Sequence, residues 1–522
     1  MQKKSAEERG FMKFIGGVER IGNRLPHPFM MFVWLIAFVI LISVICEWLG
    51  VSASYTKVTE GASPETITIK AKSLLNKENI RFFFLNFQNI FFDFSPLRAV
   101  IPLLMAIGVC EQSGLMETFI KRTILKAPQW AVVAILTFVV INANLASDAG
   151  IIAAAAVGGA VYQAMGKNPW IGVSIAYAAG NAGFGANFLI ASQDLVVNGI
   201  TMAVTQELGL NAPAHLLMNW YFLSAAVVVL TAVTVLVTKY CTVPHIAADG
   251  LPIDIPRKEC GETISPLQVK GLRYAGLALL FWLAVILLLT LPADAILRSD
   301  NGALLPRSPF LSGIIFTLFM AFLLPGVAYG RTVGTITNSK DIPSMMGTAL
   351  KQNIMLIVIA LTASIFIKLF NLSNLPTIVG FKGAELINQA NLTGYPTLII
   401  IVCLTAFFNL FIGSANAKWL MLAPIYIPMF TAVGFSPAMV TAAYRCGDSC
   451  TNPIAPLSTM LVVAIALFER FNVAPDKKEV GIGTVVAYSL PYTIFFFFAF
   501  LAMLACFYFF NIPLGPGAGV FM

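Results

Sequence analysis

Two ten-residue stretches decide the architecture: Val173-Ser-Ile-Ala-Tyr177-Ala-Ala-Gly180-Asn181-Ala182 and Val440-Thr-Ala-Ala-Tyr444-Arg445-Cys446-Gly447-Asp448-Ser449. They align without a gap at an offset of 267 residues, and the same offset matches Asn142 with Asn409 and Ser147 with Ser414. A Gly-x-x-Pro turn precedes each stretch, at Gly166 to Pro169 and Gly434 to Pro437, where the offset slips to 268. Polar positions rather than Ala and Leu carry the match, which separates it from a chance likeness of two apolar helices. The chain reads as an internal duplication.

Upstream of each stretch lies an apolar segment, 129–166 and 395–431, interrupted halfway by a polar cluster. The first cluster is Asn142-Ala-Asn144-Leu-Ala-Ser147-Asp148-Ala-Gly150 and the second Gly413-Ser414-Ala-Asn416-Ala-Lys418-Trp419. Each half is marginal for crossing about 30 Å of hydrocarbon, so each segment is expected to be a helical hairpin that enters and leaves on one side. Apolar runs against breakers predict nine crossings, at 27–51, 97–118, 170–197, 215–239, 271–293, 309–329, 352–370, 437–467 and 485–510. Five of them separate the hairpins. An odd number obliges the second hairpin to enter from the opposite face, so the repeat is inverted, a recurrent plan in secondary transporters.

Composition points the same way. Of 522 residues 58% are apolar and 11% charged, and the mean hydropathy is +0.83, values that place the chain in a bilayer. The first run, 27–51, is too long for a signal peptide and follows 26 residues. The net charge of +8 comes without any dense basic run, which argues against nucleic acid. Instead about 21 of the 33 Lys and Arg residues fall in alternate loops, predicting a cytoplasmic N-terminus and an external C-terminus. The chain divides into a cytoplasmic segment 1–26, a first half 27–239, a cytoplasmic linker 240–270 and a second half 271–522. The expected fold class is an all-α polytopic membrane protein with nine transmembrane helices, two re-entrant hairpins and inverted repeats with broken helices.

The chemistry is expected at the breaks, placed at Gly180-Asn181-Ala182 and Gly447-Asp448-Ser449. Unwinding a helix at mid-membrane frees carbonyls and half-helix ends that an ion or substrate then takes up. Asn142, Ser147 and Asn181 in one half, and Asn409, Ser414 and Asp448 in the other, carry oxygens suited to Na⁺. The competing reading is that each makes a helix–helix hydrogen bond. His is absent from both clusters and the cysteines, including Cys446 and Cys450, lack ligand spacing, so no transition metal and no cofactor is expected. Asp148, Asp194, Arg445 and Asp448 are ionisable groups at membrane depth, and such groups are functional by default. Arg445, three residues before Asp448, either pairs with it or offers its guanidinium to a substrate carboxylate. Lys418 is expected to snorkel to water or meet an anion, and Trp419 to pack or to meet an aromatic ring.

These motifs resemble the p-aminobenzoyl-glutamate transporter (AbgT) family. The likeness rests on Val18-Glu-Arg-Ile-Gly22-Asn-Arg-Leu-Pro26-His27-Pro28, Asn219-Trp-Tyr-Phe222, Asn409 to Trp419, Ala443 to Asn452 and Pro513-Leu-Gly-Pro-Gly517. The resemblance implies a homodimer with an inner dimerisation scaffold and an outer transport part holding both hairpins. It implies Na⁺- or proton-coupled movement of aminobenzoyl-glutamate across the bacterial inner membrane, and for some members export of sulfonamide antimetabolites. It also implies a substrate path through Asp194, Asn416, Trp419, Arg445, Asp448 and Pro456, with sodium at Asn409 and Asp448.

Rival readings are a sodium-coupled dicarboxylate transporter, whose Ser-Asn-Thr hairpin tips are incomplete here, and a channel. An intramembrane aspartyl protease is disfavoured because Cys446-Gly447-Asp448 lacks the Gly-x-Gly-Asp signature. No enzyme activity is expected.

Overall fold

The computed structural model describes residues 27–57, 65–125, 127–144, 147–210, 212–257, 264–292, 294–304, 308–456, 458–474 and 479–522. The expected cytoplasmic segment 1–26 and the side chains of Ser147 and Asp148 lie outside the described residues. Helices α1 (Pro28–Trp48), α2 (Lys77–Phe92), α3 (Ser95–Gln112) and α4 (Leu115–Leu125) precede the first repeat. Between α1 and α2 stands a two-stranded antiparallel hairpin, β1 (Ser52–Lys57) and β2 (Glu65–Lys70), with Ser52 opposite Lys70.

The first repeat is α5 (Val132–Ala143), α6 (Ser147–Ala164), α7 (Pro169–Ala182) and α8 (Ser192–Glu207). Then come α9 (Trp220–Val237), carried by a π turn at Thr238–Thr242 as far as Ala248, α10 (Pro266–Thr290), α11 (Ile314–Val333), α12 (Asp341–Gln352), α13 (Ile354–Leu372) and α14 (Leu375–Gln389). The second repeat is α15 (Tyr395–Asn409), α16 (Ala415–Thr431), α17 (Pro437–Thr451) and α18 (Thr459–Arg470), followed by α19 (Ile482–Phe509).

Among the described residues six helices are each long and apolar enough to cross a membrane: α1, α9 with its extension, α10, α11, α13 and α19. The expected crossing 97–118 is a bent pair instead, with 56° between Ile101–Gln112 and α4. Gly114, at φ +83°, makes that corner. The expected crossings 170–197 and 437–467 are each two short helices joined through a break. Helices α12 and α14 were not foreseen, because neither has a long apolar run.

The turns that open α7 and α17 follow from sequence. Gly166 and Gly434 take φ +74° and +97°, conformations that favour glycine. Asn168 and Ser436 then cap the helices, accepting from Trp170 N at 3.0 Å and Met439 N at 3.1 Å, and proline follows at the first helical position. The one-residue slip falls between proline and valine, inside the first helical turn, where the backbone N–H groups have no intrahelical partner to lose.

Neither helix breaks where the sequence reading put it. α7 runs through Gly180-Asn181-Ala182 and gives way only at the 3₁₀ turn Gly183–Gly185, and α17 runs through Gly447-Asp448-Ser449 to the 3₁₀ turn Asn452–Ile454. An interior glycine costs a helix about 1 kcal/mol, less than close packing returns. A Cβ on Gly447 would stand 2.4 Å from Val402 O, so this glycine lets α17 lie on α15. The breaks come where Gly183-Phe-Gly185 and Asn452-Pro453 with Pro456 supply two breakers close together. Helices α8 and α18 resume at Ser192 and Thr459, again 267 residues apart.

The two helix pairs α5–α6 and α15–α16 have their bases at opposite ends of α9. At the base of the first, Asn168 N donates to Ile253 O at 2.8 Å, tying it to the linker that follows the C-terminal end of α9. At the base of the second, Ser436 N donates to Val520 O at 2.9 Å and Met522 N to Gly434 O at 3.0 Å. That C-terminal segment also receives Tyr221 N and Phe222 N on Leu514 O, at the N-terminal end of α9. The two bases thus lie at the two ends of one long helix.

Candidate functional site

Helices α7 and α17 form the centre, buried from Pro169 to Ala182 and from Pro437 to Cys450. Their polar side chains therefore meet protein rather than water; most find a partner there, whereas the hydroxyls of Ser174, Tyr177 and Ser449 have none among the described residues. Arg445 and Asp448 lie one helical turn apart on α17 but do not pair, contrary to one expectation. Arg445 turns to the first repeat: Nη1 donates to Asp194 Oδ1 at 2.6 Å and Nη2 to Asn198 Oδ1 at 3.2 Å. Asp194 sits in the first turn of α8, where its Oδ2 also accepts from Ala191 N at 2.8 Å and Asn187 Nδ2 at 3.2 Å. The carboxylate thus compensates one guanidinium and one helix N-terminus at once.

Asp448 turns to its own hairpin. Its Oδ1 accepts from Lys418 Nζ, and the same ammonium donates to Asn409 Oδ1. Lys418 is wholly buried, so of its two expected alternatives it does not snorkel to water; the anion it meets is the Asp448 carboxylate. Asn409, at the end of α15, spends its Nδ2 on Asp448 O at 2.8 Å, Thr451 Oγ1 at 2.9 Å and Asn452 Oδ1 at 2.8 Å. The amide ties the hairpin to the end of α17.

Trp419 is also wholly buried; its ring stacks on Tyr444 at 4.2 Å between centroids, and its Nε1 donates to Thr201 Oγ1 on α8 at 3.0 Å. Thr201 bonds in turn to Thr441 of α17 at 2.9 Å. Tyr444 donates to Ala415 O in the first turn of α16 at 2.7 Å. Asn416 Oδ1 and Arg445 Nε are buried and meet no hydrogen-bond partner among the described residues. Pro456 lies half-buried in the second break, between the 3₁₀ turn and α18. A narrow cleft lined by Asn187, Ile190, Asp194, Asn198, Leu216 and Trp220 opens beside the Arg445–Asp194 pair.

The two expected ion sets fare differently. Asn409 and Asp448 are joined, by a lysine. Ser414 stands apart and exposed as the cap of α16, accepting from Ala417 N at 3.3 Å. In the first repeat the side chains of Asn142 and Asn181 do not meet. Asn142 accepts from Phe188 N at 2.9 Å and donates to Phe138 O, whereas Asn181 donates to Tyr177 O within its own helix at 2.8 Å. Asn142 pins the break to the hairpin through its bond from Phe188 N. The break after α17 touches the last turn of α7, with Asn452 Nδ2 donating to Asn181 O at 3.3 Å.

Sequence reasoning missed Asn198, Thr201 and Asn452. A signal existed for two of them, since Asn198 and Asn452 each follow an acidic residue already singled out, Asp194 and Asp448, by four positions on a helical face.

Known proteins carry the same architecture. The chain is 31% identical to the p-aminobenzoyl-glutamate transport protein of Escherichia coli (strain K12) over 505 residues, 97% of this chain and 96% of that one. The crystal structure of the Alcanivorax borkumensis YdaH transporter superposes with a TM-score of 0.85 at 31% identity, covering 94% of this chain and all of that one. Neisseria gonorrhoeae MtrF, described as illuminating a class of antimetabolite efflux pumps, superposes with a TM-score of 0.87 at 28% identity, covering 97% of this chain and all of MtrF. Residues 13–522 match the AbgT putative transporter family, and with a relative of this identity over nearly its whole length the chain belongs to that family: it is a membrane transporter, not an enzyme.

Proposed function

We propose that this transporter moves p-aminobenzoyl-glutamate, or a related aromatic carboxylate, across the inner membrane by alternating access coupled to Na⁺ or H⁺. The observation that carries the reading is Arg445. It is a buried guanidinium whose Nη groups are committed to Asp194 and Asn198 of the other repeat, while its Nε has no partner among the described residues. A substrate carboxylate arriving on that edge finds an unused guanidinium N–H beside a pair that is already balanced, and the negative charge it adds is one that a co-transported Na⁺ or H⁺ offsets. Asn416 Oδ1, unpartnered at the second hairpin tip, suits a donor such as the substrate's aniline or amide N–H. The Trp419–Tyr444 stack offers the aromatic face, once Trp419 leaves Thr201.

The proposed topology has nine crossings and two re-entrant hairpins, a cytoplasmic N-terminus and an external C-terminus, in a homodimer. Opposed hairpin bases and the location of charged loops support it. Export of antimetabolites is the second reading, favoured by the likeness to MtrF over 97% of the chain. Uptake of labelled p-aminobenzoyl-glutamate into proteoliposomes, with Na⁺ and pH gradients imposed separately, tests the function. Saturable uptake lost in Arg445→Ala is expected. Saturable succinate uptake with none of aminobenzoyl-glutamate would sink the substrate assignment, and loading a sulfonamide on either side separates import from export.

A further inference from the structure

The position at which Asn409 and Asp448 were expected to hold Na⁺ is filled by a side chain. Lys418 Nζ donates to Asn409 Oδ1 and Asp448 Oδ1, the two oxygens in question. We infer that the Lys418 ammonium is the resident cation of the second repeat, that Na⁺ and Lys418 are alternative occupants, and that this chain holds no Na⁺ there while the hairpin is seated. The inference rests on the transport reading above and deepens it.

Three independent features are arranged for a fixed cation. The Asn409 amide is held in one orientation, because its Nδ2 faces the three oxygens of Asp448 O, Thr451 and Asn452; reversing it would set oxygen against oxygens and an N–H against the ammonium. The charge is complete as it stands, with one ammonium against one carboxylate, both buried. A Na⁺ added within a few ångströms would leave a second buried cation with no second anion. Finally, Lys418 occupies the first turn of α16, the end of a helix where the macrodipole disfavours a positive charge. Local helix stability therefore does not place it there; Asp448 does.

The tether gives this cation a mechanical property that a free ion lacks. Lys418 is four residues from the exposed Ser414 at the hairpin tip, so the site empties only when α16 moves. Cation occupancy and tip position become one variable. At the matching positions of the first repeat stand Ile151 and Asn181, so only one hairpin carries this device.

Binding of radiolabelled Na⁺ to purified full-length protein, by scintillation proximity, tests the inference. The wild type is expected to bind no more Na⁺ than Asp448→Asn. Lys418→Met is expected to bind Na⁺ at least about tenfold more tightly than the wild type, and the double variant Lys418→Met/Asp448→Asn to lose that gain. Lys418→Gln repeats the comparison should the Met variant not be monodisperse, and the wild type against Asp448→Asn needs neither. Saturable Na⁺ binding by the wild type that Asp448→Asn abolishes would overturn the inference, as would a folded Lys418→Met that gains none. Aminobenzoyl-glutamate uptake by the same preparations reads the transport function separately, since its absence from the wild type leaves the Na⁺ result standing.

Discussion

Where the second repeat sets Lys418 against Asp448, the first has Ile151 packed against Gly180, with Asn181 bonded back to its own helix. Where the second projects Arg445 across to Asp194, the first has Ala178, wholly buried. Both repeats follow one backbone plan, with a hairpin, a buried helix, a break and a second half-helix, yet one is closed by apolar contact and the other by ions. Apolar contact is indifferent to cations and carboxylates, whereas a buried ion pair answers to both. The two halves thus share a plan but differ in chemistry, and under the transport proposed above it is the second closure on which a charged ligand acts.

The sharpest way to break this comparison is to remove matched residues. Asp448→Ala leaves the Lys418 ammonium buried with only an amide oxygen, and is expected to cost about 3–5 kcal/mol of stability and to abolish coupled transport. Neutralising both partners, in Lys418→Met/Asp448→Asn, should restore most of the stability and none of the coupling. Asn181→Ala removes one hydrogen bond within a helix, worth about 1 kcal/mol. Thermal unfolding in detergent and uptake in proteoliposomes measure both; equal damage from Asn181→Ala and Asp448→Ala would erase the distinction between the repeats.

Next in size is Arg445→Lys. A single ammonium cannot reach Asp194 and Asn198 as the planar guanidinium does, so about 1.5–3 kcal/mol is lost and transport falls with it. Should Arg445→Lys retain full uptake, the guanidinium geometry is not what receives the substrate.

How much of this was legible depends on how far apart the interacting residues lie in sequence. The two matching helix starts were readable because glycine at positive φ, proline at the first helical position and a capping Asn or Ser act within a few residues, at Gly166 to Pro169 and Gly434 to Pro437. The position of the breaks was not, since Gly447 marks a close approach to Val402 O, 45 residues away in sequence, rather than a weak helix. The partners of Arg445 and Asp448 were hidden for the same reason: Arg445 to Asp194 spans 251 residues and Lys418 to Asp448 spans 30. Sequence spacing offered only the local pair. The amphipathic α12 and the short α14 escaped a search tuned to long apolar runs.

A smaller effect is expected where α8 meets α13. Lys368 Nζ donates to Glu207 Oε2 at 2.8 Å, with 26% and 31% of the side chains exposed. Screened by that exposure, the pair is worth about 0.5–1 kcal/mol. It fastens the end of the broken helix to a full-length one, so Lys368→Met should change the maximal rate of uptake more than the half-saturating substrate concentration. An unchanged rate would mean that α8 and α13 move as one body.

The smallest effect distinguishes the two hairpin bases. The first is tied to the linker by Asn168 and by an exposed Lys167–Asp254 bridge, with no histidine in the tie. The second is clasped by the C-terminal segment, which His215 fastens: its Nε2 is 2.7 Å from Pro516 O and its Nδ1 accepts from Leu217 N at 3.2 Å. Those two bonds require the neutral ring with its proton on Nε2, and burial holds the His215 pKa below the ordinary value despite the bond to Pro516. A histidine depressed in the folded state contributes stability above its unfolded pKa of about 6.5, and loses it as pH falls through the lower folded value. Protonating Nδ1 turns two N–H donors toward each other and loosens the clasp. Hydrogen exchange at 434–436 and 514–522 should therefore accelerate as pH falls below the ordinary histidine range, after correction for intrinsic rates, while exchange at 166–168 does not. His215→Gln, which keeps a donor for Pro516 and cannot titrate, should remove the difference; if it persists, the asymmetry between the bases lies elsewhere than in this ring.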